Sequence, residues 1–171
     1  TELDVEARRL LKSLSNELPW DWTISLRLAE IAERQGATLE AIEQYKSILN
    51  KEMYHPDVLR RLVILLCSKG RDAEANGILS KLQQTQPRAF TSDLSKLASA
   101  VALKSQHRVR ALELARESMK AASNDSKDYL WYGQMLAGMA MFQEAEDALR
   151  KAISLDPKQS SPRVTLIRLL E

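Results

Sequence analysis

The sequence has few of the residues that cross-link or interrupt a chain. Among 171 residues there are one cysteine, five glycines and five prolines. A single cysteine, Cys67, excludes an internal disulfide framework. Sparse glycine, sparse proline and few β-branched stretches argue against a sheet protein. No apolar run approaches the roughly 18 residues of a membrane-spanning helix, so we expect no membrane insertion.

The sequence also lacks a large excess of positive or negative charge. Lys and Arg total 25 against 23 Asp and Glu, which leaves a formal net charge of +2. Without a strongly basic segment, nucleic acid is not an expected partner. Apolar residues at 44% and charged residues at 28% indicate a folded chain rather than a disordered one. Residues 1–4 lack the basic and apolar regions of a signal peptide, so the expected location is the cytoplasm.

What the sequence does contain is an internal repeat of about 34 residues. Alanines recur at separations of 34, 34, 36 and 34 residues, at Ala7, Ala41, Ala75, Ala111 and Ala145. The apolar residues that follow them lie at offsets of four and seven, which is the spacing of one helix face. Segments of helical spacing also precede Gly36 and Gly70, where a short turn needs a left-handed residue. The pattern predicts antiparallel helix pairs, about nine helices and no sheet.

Residues 129–157 carry the clearest copy of this repeat, and they resemble the tetratricopeptide repeat (TPR) family. The family's aromatic, Leu, Gly and Tyr positions fall here on Tyr129, Tyr132, Gly133 and Leu136, and its Ala and Pro positions fall on Ala145 and Pro157. Residues 56–87 give a second good match. The resemblance implies an all-α fold, a right-handed α-solenoid of antiparallel helix pairs whose concave side is lined by the first helix of each pair.

The resemblance covers essentially the whole chain and predicts a single repeat domain of residues 1–171. Its expected parts are a half repeat at 1–21, repeats at about 22–55, 56–91, 92–125 and 126–159, and a terminal half-repeat helix at 160–171. The third repeat is degenerate, because Gln106 stands where the turn glycine is expected and the register of its first helix is ambiguous.

Residues suited to catalysis are scattered. His55 and His107 lie 52 residues apart, too far in the sequence to suggest a local ligand pair. Cys67 falls on an apolar helical segment, where a packing role outweighs a nucleophilic one. The glycines at 133 and 138 have the spacing of a phosphate loop but lack its Lys and Ser or Thr. We therefore expect no enzyme activity, no catalytic residue, no cofactor and no metal site.

A binding surface is the expected alternative, with a protein or peptide as its partner. In the TPR family, a groove-facing position lies two residues before the small residue of each first helix. Here that position holds Arg27, Arg61, Lys96 or Leu97, Trp131 and Thr165. None is the asparagine that carboxylate clamps of the family use, which argues against such a clamp. The predicted groove is lined by Arg27, Glu30, Arg61, Ile64, Leu130, Trp131 and Gln134.

Two readings of these groove residues remain open. Arg27 and Arg61 could pair with an acidic ligand, and Trp131 could stack on an extended chain. Alternatively, both arginines are solvated and Trp131 packs between helices. The same repeats would also suit a structural, spacer or dimerisation segment of a longer helical-repeat protein, or a regulatory domain of a larger enzyme.

The end segments are rich in apolar residues that span more than one helix face. These residues are Val5, Leu10, Leu11 and Leu14 near the start, and Val164, Leu166, Ile167 and Leu170 near the end. We expect the parent protein to continue past both ends, and we expect exposed apolar stripes on this segment. Such stripes favour self-association through the end helices, either by matching ends that close a dimer or head to tail.

Overall fold

A computed structural model describes residues 2–50, 55–119 and 123–171 of the chain. Every regular element within these ranges is helical, with ten α-helices and one short 3₁₀ helix and no strand. The number is one more than the nine or so expected from the pattern, and it equals one helix for each end segment plus two for each of the four repeats. None of the helices in these ranges has the length and apolarity needed to cross a bilayer.

The chain divides into two units, Thr1–Ala75 and Asn76–Glu171. Unit 1 contains α1 (Glu2–Glu17), α2 (Trp22–Arg34), α3 (Thr38–Asn50), α4 (Pro56–Ser68) and the first turn of α5 (Asp72–Thr85). Unit 2 contains the rest of α5, a 3₁₀ turn (Pro87–Ala89), α6 (Ser92–Lys104), α7 (Arg108–Met119), α8 (Ser126–Gly138), α9 (Phe142–Leu155) and α10 (Ser160–Leu170).

Side-chain caps begin three of the helices. The Asp21 carboxylate accepts a hydrogen bond from the Thr23 amide at the start of α2, at 2.9 Å. Thr91 caps α6, and Asp125 caps α8 by accepting from the Lys127 amide at 2.9 Å. Each cap satisfies one of the amide donors that the first turn of a helix leaves without a backbone partner.

The turns within the helix pairs share one backbone conformation. The residues at equivalent positions in four turns all have a positive φ, namely Gly36 (71°), Gly70 (69°), Gln106 (64°) and Ala140 (58°). In each turn the next residue donates its amide to a carbonyl five residues earlier, as in the 2.8 Å bond from Ala37 to Ala32. This hydrogen bond caps the C-terminus of the helix, and the left-handed residue before it reverses the direction of the chain.

The core of unit 1 lies between α2, α3 and α4. Its fully buried side chains are almost all apolar, and they include Ala29 and Ala32 on α2, Ala41, Ile42, Tyr45 and Ile48 on α3, and Leu59, Leu62, Val63 and Leu66 on α4. The alanine that marks the repeat, Ala41, is completely buried. Its small side chain lets neighbouring helices approach closely.

The core of unit 2 is built in the same way, with Ala111 and Ala145 completely buried. The helices α8 and α9 approach each other closely at Gly133. A Cβ atom added to Gly133 would lie 2.8 Å from the Leu149 Cγ and 3.2 Å from the Ala145 carbonyl oxygen. Because the neighbours leave no room for a side chain, glycine at this position allows α8 and α9 to pack together.

Candidate functional site

Four of the predicted groove residues lie on two helices of unit 1. Arg27 and Glu30 are on α2, and Arg61 and Ile64 are on α4. Arg27 and Glu30 form an ion pair within α2, with Nη1 and Oε2 separated by 2.9 Å. Ile64 leaves 55% of its surface exposed, which is unusual for an isoleucine in a helix with a fully buried opposite face. The face therefore combines two arginines and one glutamate with one exposed apolar side chain.

Arg61 connects this face to the core of unit 1. Its Nη1 donates to the Glu33 Oε2 at 2.8 Å, so the guanidinium is held by a carboxylate of α2. It also lies beside the buried hydroxyl of Tyr45, whose pKa is raised to about 12, chiefly by burial and further by the Glu33 charge. The positive charge of Arg61 opposes that rise. Arg61 is thus oriented by two neighbours while part of its side chain faces solvent.

A shallow pocket of about 250 Å³ brings two of these residues together. Glu30 and Arg61 line it with Leu26, His55, Asp57, Val58 and Arg60. His55 precedes the first residue of α4, and its ring lies next to that of Trp22, with the two ring centroids 5.2 Å apart. The lining includes carboxylates, arginines and aliphatic side chains, so the pocket offers hydrogen-bond donors and acceptors next to apolar groups.

The other three predicted residues lie on α8 of unit 2. Leu130 and Trp131 are half-buried, and Gln134 is exposed. The ammonium of Lys96, on α6, lies 6.0 Å from the centroid of the Trp131 ring, at the outer limit of a cation–π contact. Trp131 is therefore partly packed against its neighbours and partly open to solvent, which leaves both interpretations of this residue from the sequence open.

An ion pair beside Trp131 was not predicted from the sequence. Lys96 donates a hydrogen bond to the Asp128 carboxylate and so links α6 to α8. Burial by itself raises the pKa of Asp128, but hydrogen bonds from Lys96 and Ser123 and the Lys96 charge outweigh burial and lower this pKa overall. The only available sequence signal was that Asp128 follows Lys96 by about one repeat, and this spacing is too common to single out a pair.

The register of the degenerate third repeat follows from burial. Ser99 is completely buried and donates a 2.6 Å hydrogen bond to the Ala111 carbonyl oxygen. It thus occupies the small-residue position on α6 that Gly133 occupies on α8. Leu97, rather than Lys96, is then the residue two positions before Ser99, and Lys96 lies about one helical turn before Ser99.

The histidines and the cysteine, which we do not expect to be catalytic, fall at separate places along the chain. His55 precedes α4, His107 is exposed in the turn before α7, and Cys67 is half-buried on α4. The described ranges contain no group of three or more His, Cys, Asp or Glu side chains placed to hold a metal ion.

Solved structures share this arrangement of helices at low sequence identity. Residues 41 to the end of MamA from Desulfovibrio magneticus RS-1 match with a TM-score of 0.69 and 24% identity, over 86% of this chain and 82% of that one. YrrB, a TPR protein with an unusual peptide-binding site, matches with a TM-score of 0.69 and 15% identity, over 94% and 83%. A tetratricopeptide repeat protein from Parabacteroides merdae matches with a TM-score of 0.78 and 18% identity, over 98% and 67%.

These likenesses define the class of fold. The chain has the tetratricopeptide-repeat fold, an all-α solenoid of antiparallel helix pairs, as the residues at 129–157 predicted. No protein-family model and no curated protein matches the sequence.

Proposed function

We propose that the chain is a protein-interaction module that binds a peptide or protein segment on the faces of its first helices. The candidate surface in unit 1 is formed by Arg27, Glu30, Arg61 and Ile64, and the one in unit 2 is formed by Leu130, Trp131 and Gln134. Binding, rather than catalysis, is the role that we assign to both surfaces. The peptide-binding site named for the structurally similar YrrB supports this assignment.

The observation that carries the proposal is the environment of Trp131. A half-exposed tryptophan with a lysine ammonium near its ring offers a large, rigid contact area beside a hydrogen-bonding group. Tryptophan and arginine dominate the energetics of protein interfaces, because they combine apolar area with directional polar contacts. In unit 1, Arg61 is pre-oriented by Glu33, so an incoming carboxylate or carbonyl meets a donor whose conformation is already restricted.

Selection of peptides from a random library provides a direct test. Peptides that bind the intact chain are measured by calorimetry against Trp131→Ala and Arg61→Ala, one change at a time. A peptide that contacts either surface should bind about tenfold or more weakly when Trp131 or Arg61 of that surface is replaced by alanine. Helicity should not change, because both side chains are partly exposed.

Matched controls are available in the same chain. Trp20 is a strongly exposed tryptophan between α1 and α2, and Arg150 is an exposed arginine on α9. Trp20→Ala and Arg150→Ala should leave the affinity unchanged. If selected peptides lose affinity with the controls, or keep it in both Trp131→Ala and Arg61→Ala, the proposed surfaces are wrong and a spacer role is favoured.

A further inference from the structure

A polar cavity of about 550 Å³ lies in unit 1, where α1, α2 and α3 meet. Its lining carries three serine hydroxyls, two carboxamides, one ammonium and one carboxylate, but only three apolar residues. A volume of this size is typical of small-molecule sites and far exceeds the roughly 30 Å³ that one water molecule occupies. On the same side, Lys12 and Arg8 of α1 both pair with Glu40 of α3, so the cavity lies between helices that the chain holds together.

Three lining positions depart from the apolar pattern of the repeat. The corresponding residues one repeat of 34 residues later are Leu49 for Ser15, Leu59 for Ser25 and Ile78 for Gln44. Leu59 is 2% exposed, and the other two apolar residues are half-buried. An apolar side chain at such a position stabilises the fold by leaving water, and a serine or glutamine does not. Packing therefore does not account for the polar residues of the cavity, which points to a role in binding.

Unit 2 shows how a polar residue at one of these positions is satisfied within the chain. Gln83 of α5 follows Ser15 by two repeat lengths. Its side-chain oxygen accepts a hydrogen bond from Arg110, and its side-chain nitrogen donates one to the Glu117 carboxylate at 3.4 Å. The polar groups around Gln83 thus bind one another and leave little capacity for a ligand.

The cavity in unit 1 contains polar groups that have no such partners. No hydrogen bond joins the side chain of Ser25, Gln44 or Ser47 to another residue in the part of the chain that the structure describes. Ser25 is only 9% exposed, so its hydroxyl has little access to any partner outside the cavity. Because a buried polar group without a hydrogen bond is unfavourable, these side chains are suited to a molecule that occupies the cavity.

The two charged residues of the lining are both engaged by the protein. The Asp21 carboxylate accepts hydrogen bonds from the Thr23 amide at 2.9 Å and from the Thr23 hydroxyl at 2.6 Å. The Lys12 ammonium lies 3.5 Å from the Glu40 carboxylate. Since Lys12 and Asp21 also have opposite signs, the lining has no net charge and favours a neutral ligand over an anion or a cation.

We propose that this cavity binds a neutral saccharide of one or two rings. Hydroxyl and carboxamide groups, such as those of Asn16, Gln44 and Ser47, both donate and accept hydrogen bonds, and so does every hydroxyl of a sugar. Leu18 and Leu28 offer apolar contacts to the C–H groups of a sugar ring. A peptide with large apolar side chains would find few matching groups, because polar side chains dominate the lining. The proposal does not depend on peptide binding by the first-helix faces.

Saturation-transfer NMR on the full chain of residues 1–171 tests the proposal. The saccharide probes are glucose, N-acetylglucosamine, maltose and cellobiose, and N-acetylalanine methylamide is the neutral peptide probe, each at about 10 mM. At least one saccharide should bind with a dissociation constant of about 10 mM or less, and the peptide probe should bind at least tenfold more weakly. If no saccharide of this panel binds, or if the peptide probe binds as tightly as the best saccharide, the proposal is wrong.

Substitutions taken from the next repeat of the same chain locate the binding. Ser25→Leu and Gln44→Ile introduce the apolar residues found one repeat later, and each should weaken saccharide binding by about tenfold or more. The melting temperature of each variant should stay the same or rise, because an apolar side chain replaces an unpartnered polar one. Ser47→Ala removes a hydroxyl without filling space, so it keeps the test decisive if a larger side chain prevents folding. It should weaken binding by about fivefold.

Matched controls make the same changes at exposed positions of α9. Ser154→Leu and Gln143→Ile should leave the saccharide affinity unchanged. Trp131→Ala and Arg61→Ala, which test the peptide surfaces, should leave it unchanged as well, so the two proposals can fail separately. Saccharide binding that survives all of the cavity variants, or that is lost in the controls, would show that the sugar binds elsewhere and would overturn the proposal.

Discussion

The turns of unit 1 and unit 2 have the same backbone but different residues. In unit 1 the left-handed position is occupied by Gly36 and Gly70, as the sequence predicts. In unit 2 it is occupied by Gln106 and Ala140, which have φ values of 64° and 58°. A left-handed conformation costs a residue with a side chain about 1–2 kcal/mol, whereas glycine adopts it freely.

The difference shows that the packing of the helix pairs, rather than the turn residue, determines the turn. Both turns of unit 2 keep the closing hydrogen bond, which joins Met141 to Leu136 at 3.0 Å and His107 to Ala102 at 2.8 Å. The helices on either side bury their alanines fully in both units. Packing energy therefore offsets the local strain at Gln106 and Ala140.

The largest expected effect is on the free energy of unfolding, and it arises at the crossing of α8 and α9. Val63 is completely buried at the position on α4 that corresponds to Gly133 on α8. Gly133→Val should nevertheless destabilise the protein by about 3 kcal/mol, because the new side chain meets Leu149 and the Ala145 carbonyl. Ala145→Leu should cost about 1–3 kcal/mol at the same crossing. Urea unfolding followed by circular dichroism measures both.

Gly77 provides the matched control for this crossing. It is an exposed helical glycine on α5 with no atom within 4 Å of an added Cβ. Gly77→Val should change the free energy of unfolding by less than about 0.5 kcal/mol. Equal effects at Gly77 and Gly133 would show that the α8–α9 crossing is not close-packed.

A smaller expected effect is a difference between the two cores in how their contribution to stability depends on pH. Tyr45 is completely buried in unit 1, and the equivalent residues in unit 2, Ala115 and Leu149, cannot ionise. An unfolded chain ionises tyrosine near pH 10, whereas the folded chain keeps Tyr45 neutral up to about pH 12. Between these values the folded state binds more protons, so stability should fall by about 2 kcal/mol as the pH rises.

Urea unfolding at several pH values between about 9 and 12, the range that spans these two pKa values, measures this loss. Tyr45→Phe should remove most of it, since phenylalanine fills the same space without an ionisable group. An unchanged pH profile in Tyr45→Phe would mean that other groups cause the alkaline loss of stability.

The periodic features of the fold were predictable from the sequence. The alanine spacing located the helix pairs, and the third of the expected repeats, at about 92–125, contains α6 (Ser92–Lys104) and α7 (Arg108–Met119). Residue spacing could not reveal which charges pair across helices. Lys96 with Asp128 and Arg61 with Glu33 depend on side-chain conformations between neighbouring helices. The left-handed backbone conformation of Ala140 could not be predicted either, because alanine carries no sequence signal for that conformation.

Reciprocal substitution in the turns tests most directly the claim that equivalent positions have one backbone in every repeat. Ala140→Gly should stabilise the protein by about 1 kcal/mol, because glycine relieves the strain of a positive φ. Gly70→Ala should destabilise it by about 1 kcal/mol, although the space around Gly70 is open. Urea unfolding of both variants under identical conditions should give changes of opposite sign, and changes of the same sign would contradict the shared turn geometry.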